Sequence, residues 1–374
     1  MKKKEFNFKT SLLLLSLVST TQAFSAQEST KGLLPEVKLN SDNEDKNQET
    51  AFKSEVLITK AENKAIESLT QILKKKKGSP DEADLNYRLA EMYMRRAKSG
   101  RFFDLSDKSD SKLNKLGMIN QKSIESLKSA ISIYNKIESE FPKYKGMDAV
   151  LFNNALAHLQ TKQTERSKDL YNKLISQHPK SSLIPDALLE VGEIYYNQQN
   201  FTTALEKFEK IDSYPQSKAY PYGLYKSAWC LYNLKQTDAG VQKLLSVVKN
   251  NPADSTDQKK YNLRKEALRD LTLFVGESVP PQELFSFFQR ITTENELGEV
   301  IINLAGLYES HSRYKEISIF VKEFIDKYPQ NLHAAKSYSK LIETNETLKD
   351  RDTVINYMKK MGEFCRTEIN PECK

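Results

Sequence analysis

Four histidines are the first residues to test for chemistry: His158, His178, His311 and His333. They are scattered. None has a carboxylate or second histidine at the spacing of H-E-x-x-H, where two imidazoles one helical turn apart hold zinc and a glutamate acts as base. His158 sits in an apolar helical pattern, where a packed imidazole is expected rather than a ligand. There is no G-x-S-x-G elbow to present a serine and no glycine-rich loop to cradle phosphate, and neither tail cysteine has a local histidine. Glu190 and Glu193 form an acid pair at i, i+3, a spacing that exposed helix faces produce routinely. The expectation is a chain that is not an enzyme, with no catalytic residue, no metal site and no cofactor.

The cysteines have other uses. Cys230 is flanked by apolar residues and reads as a small buried hydrophobe. Cys365 and Cys373 lie eight apart in CRTEINPEC, where a proline-containing turn can bring them together and an oxidising compartment favours a disulfide.

The aromatic residues ask to be positioned. In YPYGLYKSAWCLYNL, Tyr220 to Leu234, the positions Leu224, Ala228 and Leu231 share one helical stripe. Tyr225, Trp229 and Tyr232 share a neighbouring one. A surface helix needs a single apolar stripe, so the second must touch something else.

Composition limits the elements that could hold these residues. Only 12 Gly and 12 Pro, against 29% charged and 39% hydrophobic residues, suit long solvated helices better than a turn-dense β protein. The start, MKKKEFNFKTSLLLLSLVSTTQA, has a basic n-region, an apolar run from Leu12 to Val18 too short to span a bilayer, and small residues Thr21 and Ala23 before a cleavage site. Residues 1–23 are therefore expected to be a signal peptide, cleaved on export to the periplasm. No cysteine is available there for a lipoprotein anchor. Removing four Lys and one Glu leaves the mature chain at +4 rather than +7, with both signs interleaved, and nucleic acid is not an expected partner of an exported chain. Residues 24–51 are polar and without helical period, as a disordered linker would be. The run Lys74 to Lys77 reads as a solvated helix C-terminus favoured by the macrodipole.

From residue 52 onward the chain repeats itself. Gly192, Ala204 and Phe208 recur in register as Ala155, Ser167 and Tyr171, and again as Ala228, Gly240 and Leu244. The steps are 37 and 36 residues, with Pro179 and Pro252 each 24 beyond the first small residue of its unit. Small residues let two antiparallel helices cross closely, the large residue fills the angle between neighbouring units, and proline ends the second helix. Ala305 and Pro329 continue the pattern, with Ile317 where a small residue is expected; a divergent unit spans about 258–291 and an incomplete one 332–361. Upstream, Ala90 and Ala130 lie 40 apart instead of 12, which places an insertion near 99–118, expected to be a solvated excursion pinned by Phe102, Phe103 and Leu105. A helix near 55–76 would cap the array, and residues 362–374 would form the cysteine-containing tail.

This register resembles the tetratricopeptide repeat, a helix-turn-helix unit of 34 residues. The resemblance implies an all-α solenoid of about seven such units, a monomer acting as an interaction scaffold. The segment YRLAEMYMRRAKSGRFFDL, with the leader and linker, is similar to the tetratricopeptide components of bacterial gliding-motility and envelope-spanning machines. That likeness implies an envelope protein or peptide as partner, with a peripheral seat at the outer membrane open to it. Second to it stand the Tol-Pal partner that coordinates envelope constriction and the outer-membrane assembly factors. In tetratricopeptide superhelices the first helix of each unit lines the concave face. The resemblance thus places Phe152, Leu156 and Leu159, then Leu189, Glu193, Tyr196 and Asn197, then Tyr222, Tyr225, Trp229, Tyr232 and Asn233, along a partner-binding groove. The competing reading packs the rings on the next unit's first helix.

Overall fold

The chain divides into two units, Met1–Ala51 and Phe52–Lys374. The computed structural model describes residues 60–106, 114–276, 278–367 and Cys373. The expected signal peptide, the linker and residues 368–372 and 374 of the tail lie outside the described residues, as do the side chains of the insertion, Phe102, Phe103 and Leu105 included.

Helix α1 covers residues 60–75. Fourteen further helices follow: α2 (Glu82–Ser106), α3 (Asn114–Glu140), α4 (Met147–Gln160), α5 (Thr164–Gln177), α6 (Ile184–Asn197), α7 (Phe201–Glu209), α8 (Tyr220–Asn233), α9 (Thr237–Asn250), α10 (Gln258–Gly276), α11 (Pro281–Gln289), α12 (Glu294–Ser310), α13 (Tyr314–Lys327), α14 (Ala334–Thr347) and α15 (Arg351–Thr367). From α2 on they form seven consecutive pairs, each packed on its neighbours, an all-α solenoid without a strand among the described residues. No helix among them is long and apolar enough to cross a membrane.

Two expectations need correction. The last unit is not incomplete, because α14 and α15 form a full pair. Nor is the insertion an excursion throughout: residues 99–106 lengthen α2 and residues 114–118 belong to α3, leaving only 107–113 outside the described residues. Neither flank contains proline, and Gly100 and Gly117 cost a helix only about 1 kcal/mol each, so nothing local forbids the extension.

The small-residue register is the packing contact itself. Ala155, Ser167, Ala204, Ala228 and Ala305 are fully buried, as are the large partners Tyr171, Phe208 and Leu244. At Gly192 a Cβ would stand 2.4 Å from the Phe208 ring, so only hydrogen fits where α6 crosses α7. Ile317 is also fully buried, showing that this crossing accommodates a larger side chain in the sixth unit. The residues before the unit-ending prolines, His178, Tyr214, Asn251 and Tyr328, leave the helix with φ between −123° and −128°, as the steric demand of a following proline requires.

The turn between the two helices of a unit repeats more strictly than its sequence does. Lys162, Gln199, Lys235, Ser312 and Lys349 all take left-handed backbone angles, φ 57° to 65°. At each, the next residue's N–H donates to the carbonyl five back, as Gln163 does to His158 at 2.8 Å and Gln236 to Leu231 at 2.8 Å. This is the Schellman closure of a helix, which glycine usually supplies because a Cβ strains that conformation. Replacing the exposed Lys235 by glycine is expected to stabilise the protein by about 0.5–1 kcal/mol. Urea unfolding of Lys235→Gly beside Lys235→Ala checks this, and a less stable glycine variant would contradict it.

The buried side chains form two large clusters, one from α2 to α8 and one from α8 to α15, and Tyr220 and Tyr222 of α8 pack against both. At the far end Cys365 and Cys373 are joined by a disulfide with Cα atoms 5.6 Å apart, while Cys230 is a buried thiol whose pKa burial pushes up to about 12.

Candidate partner-binding face

The first helices α4, α6 and α8 carry equivalent positions 37 and 36 residues apart, so their side chains can be compared place by place. At the place of Phe152, Leu189 and Tyr225 the side chain turns inward. Phe152 meets the Tyr171 ring edge-on at 5.4 Å, and Leu189 is only 7% exposed. Leu189, three residues before Gly192, thus leaves little of its side chain for a partner to touch. One residue further, at Asn153, Glu190 and Lys226, the side chain reaches toward the preceding first helix. Asn153 Nδ2 donates to the Tyr87 hydroxyl of α2 at 3.0 Å, and Lys226 Nζ pairs with Glu193 of α6 at 2.8 Å while lying 5.4 Å from the Tyr196 ring centre.

Glu190 breaks this pattern. The place on α4 equivalent to Glu193 is Leu156, which offers no charge to meet it, and among the described residues no donor or cation pairs with Glu190. Burial, then the nearby Glu193 and Asp186, push its carboxyl from 4.5 to about 7. The sequence reading that set Glu190 aside as one of many exposed acids is thus corrected. A usable signal was present: α6 carries Asp186, Glu190 and Glu193 and no lysine or arginine. Behind them the Tyr171 hydroxyl is fully buried without a hydrogen-bond partner, and its pKa is raised first by burial and then by Glu190 and Asp186.

A family model, the tetratricopeptide repeat, matches residues 149–181, 186–217 and 222–254, the units built by α4–α5, α6–α7 and α8–α9. These are tetratricopeptide repeats. No curated protein matches the sequence. Among solved structures, the C-terminal part of a tetratricopeptide protein from Cytophaga hutchinsonii is 14% identical, with 81% of this chain and 99% of that one covered and a TM-score of 0.41. A tetratricopeptide protein from Parabacteroides merdae is 16% identical over 80% and 99% of the two chains, TM-score 0.41. YrrB, described as a tetratricopeptide protein with an unusual peptide-binding site, is 18% identical over 55% and 97%, TM-score 0.37.

Just beyond the three matched repeats, the aromatic stripe of α8 is directed at α10. The Tyr225 hydroxyl and Trp229 Nε1 both donate to Oδ2 of Asp270, at 2.5 and 2.9 Å. The Trp229 and Tyr232 rings lie 5.3 and 4.5 Å from that of Phe274, edge-on and stacked. Asp270 is only 6% exposed; burial raises its carboxyl pKa, and the two hydrogen bonds and Arg269 offset part of that rise. Of the two readings of the stripe, this geometry is that of packing between first helices. Tyr222 and Tyr196 remain half-buried, and Asn197 and Asn233 are exposed, with Asn233 Nδ2 donating to the Trp229 carbonyl at 2.8 Å. Asp270 was invisible as a partner because it lies 45 residues beyond Tyr225, in the divergent fifth unit. His158 is packed, its Nδ1 3.1 Å from Gln163 Oε1, and no group of three or more His, Cys, Asp or Glu among the described residues is placed to hold a metal.

Proposed function

We propose that this protein is an exported scaffold of the bacterial cell envelope that holds a partner protein or peptide along the face of its first helices, within a gliding-motility or envelope-spanning machine. Tetratricopeptide arrays are interaction scaffolds. What carries the reading to this face is its unmet polar capacity: Glu190 on α6 is half-buried, unpaired and raised in pKa mainly by burial, and the exposed Glu266 of α10, also without an ion pair, lies near the half-buried Tyr222 ring of α8. Packing alone gains nothing from desolvating unpaired carboxylates. The leader pattern of residues 1–23 and the Cys365–Cys373 disulfide both suit an oxidising compartment.

Fractionation of cells after in vivo crosslinking tests this. The expected result is a chain shortened by about the length of the leader, outside the cytoplasm and crosslinked from α6, α8 or α10 to one defined envelope protein. A full-length cytoplasmic chain, or crosslinks only from the second helices, would reject the proposal.

A further inference from the structure

The formal net charge of +7 is not spread along the chain. Residues 60–146, from α1 to the loop before α4, hold 19 lysines and arginines against 12 acids, which is the whole of that excess. Residues 1–59 balance at eight against eight, and residues 147–374 at thirty against thirty. Positive charge set at one end of a molecule is a field for an anionic partner.

The structure gathers much of this excess on one edge, where the turn between α1 and α2 meets the loop between α3 and α4. Glu82 joins the two sides: one carboxylate oxygen accepts from the Gly78 N–H at 2.6 Å, and the other from Lys136 Nζ of α3 at 3.1 Å. Asp84 adds a second link, accepting from the Tyr144 hydroxyl at 3.3 Å. The exposed run Lys74 to Lys77 and the exposed Lys143 and Lys145 therefore belong to one edge. Of these six, only Lys76 has an acid within ion-pair reach among the described residues, Asp81 at 3.8 Å, and both side chains are more than half exposed. The next unit continues the edge, because the Ser181 hydroxyl donates to Asp148 in the first turn of α4 at 2.6 Å and carries the exposed Lys180 beside it. A helix C-terminus presents only about half a negative charge, so the macrodipole of α1 accounts for one lysine and not for four.

A second observation identifies the kind of anion. Ile72 is 43% exposed, one of four large apolar side chains exposed among the described residues. It lies one turn before Lys75 and Lys76 on the same face, and the Lys76 N–H donates to the Ile72 carbonyl at 2.9 Å, so helical spacing holds through that turn. An apolar side chain among long, unconstrained ammonium groups matches an interface in which phosphate lies directly over hydrocarbon. We infer that this edge seats the N-terminal end of the array on a bilayer surface rich in anionic lipid headgroups, with Ile72 entering the interface and the lysines meeting phosphates. Such a surface asks for no fixed geometry from its cations, and each lysine close to it contributes about fivefold in affinity. The inference goes beyond the scaffold reading, since it gives one end of the molecule a membrane seat and leaves the first helices α6, α8 and α10 to a protein partner.

The test is co-sedimentation of the whole mature protein with vesicles of phosphatidylcholine containing one third phosphatidylglycerol, beside vesicles of phosphatidylcholine alone. In about 0.1 M salt the anionic vesicles are expected to bind at least about tenfold tighter, and to lose most of that advantage in about 0.5 M salt. A variant carrying Lys74→Gln, Lys75→Gln and Lys77→Gln is expected to lose at least about tenfold. Ile72→Ser is expected to lose about threefold, by a factor that salt does not change. A variant carrying Lys315→Gln, Lys322→Gln and Lys359→Gln, which removes the same charge from exposed places on α13 and α15, is expected to stay within about twofold of the wild type. Equal binding to both vesicles, or equal losses in the two triple variants, overturns the inference. Retention on immobilised polyglutamate without sedimentation on either vesicle also overturns it, because the edge then serves an acidic protein. Crosslinking from the first helices reads separately from all of these outcomes, so the scaffold reading and the membrane seat stand or fall independently.

Discussion

Trp229→Ala is expected to destabilise the protein by about 3 kcal/mol, one of the largest losses available to a single substitution on the first helices. The indole is half-buried, which places it at the low end for tryptophan, but its removal does two things. It empties the space against Phe274 and Tyr232, whose rings lie 5.3 and 5.7 Å away, and it withdraws a donor from Asp270. That carboxylate is 94% buried by its 6% exposure and would keep Tyr225 and the more exposed Arg269 as partners. Trp229→Phe separates the effects, retaining most of the ring contact and losing only the hydrogen bond, so about 1–2 kcal/mol is expected. Urea unfolding of both variants is the measurement. A change under about 0.5 kcal/mol in Trp229→Ala, the size of an ordinary surface substitution, would return the ring to the solvent face.

Glu190→Gln is expected to stabilise the protein at pH 8 by about 2 kcal/mol, with the gain shrinking toward nothing below about pH 4.5. The folded chain holds this carboxyl at about 7 against 4.5 for the unconstrained group. A pKa raised by folding favours the protonated form, so its stabilising contribution is complete below about 4.5 and is lost as pH rises through 7. Ionising such a group within the fold costs about 3 kcal/mol, which its partial exposure trims to about 2. Glutamine carries no charge and is indifferent to pH over this range. The wild-type and variant stability curves should therefore converge below about pH 4.5 and separate progressively between 4.5 and 7. Parallel curves across that interval would show that Glu190 stays ionised and solvated.

The sequence carried the frame of the molecule because the frame depends on residue size. Gly192, Ala204 and Ala228 are small where helices cross, and Pro179 and Pro252 stop helices for reasons local to themselves. The helix-turn geometry was hidden because Lys162, Gln199, Lys235 and Ser312 adopt a conformation that their side chains do not advertise. Residues that act across units were harder still. The second stripe on α8 was visible in the spacing of Tyr225, Trp229 and Tyr232, but its counterpart Asp270 belongs to a unit without the small-residue register. The burial of Leu189 was not legible, because shared spacing alone does not say which of two adjacent positions turns into the core. Glu190 was passed over because an acid on a helix looks solvated until the packing of the neighbouring units is known.

The meeting of two hydrophobic clusters at α8, where Tyr220 and Tyr222 serve both, gives the molecule a mechanical seam. Each helix pair is held only by its neighbours, so tension applied between the ends is carried in series through every junction and is not shared across a common centre. Under load such a molecule yields by stages. A force ramp should show two cooperative rips, one for α2–α7 and one for α9–α15, with α8 leaving alongside whichever half fails last. Tyr225 and Trp229 clasp Asp270 on one side of the seam, and Lys226 grips Glu193 on the other, so α8 works as the shackle between two lengths of chain. A molecule built this way lengthens at a defined point before it lets go.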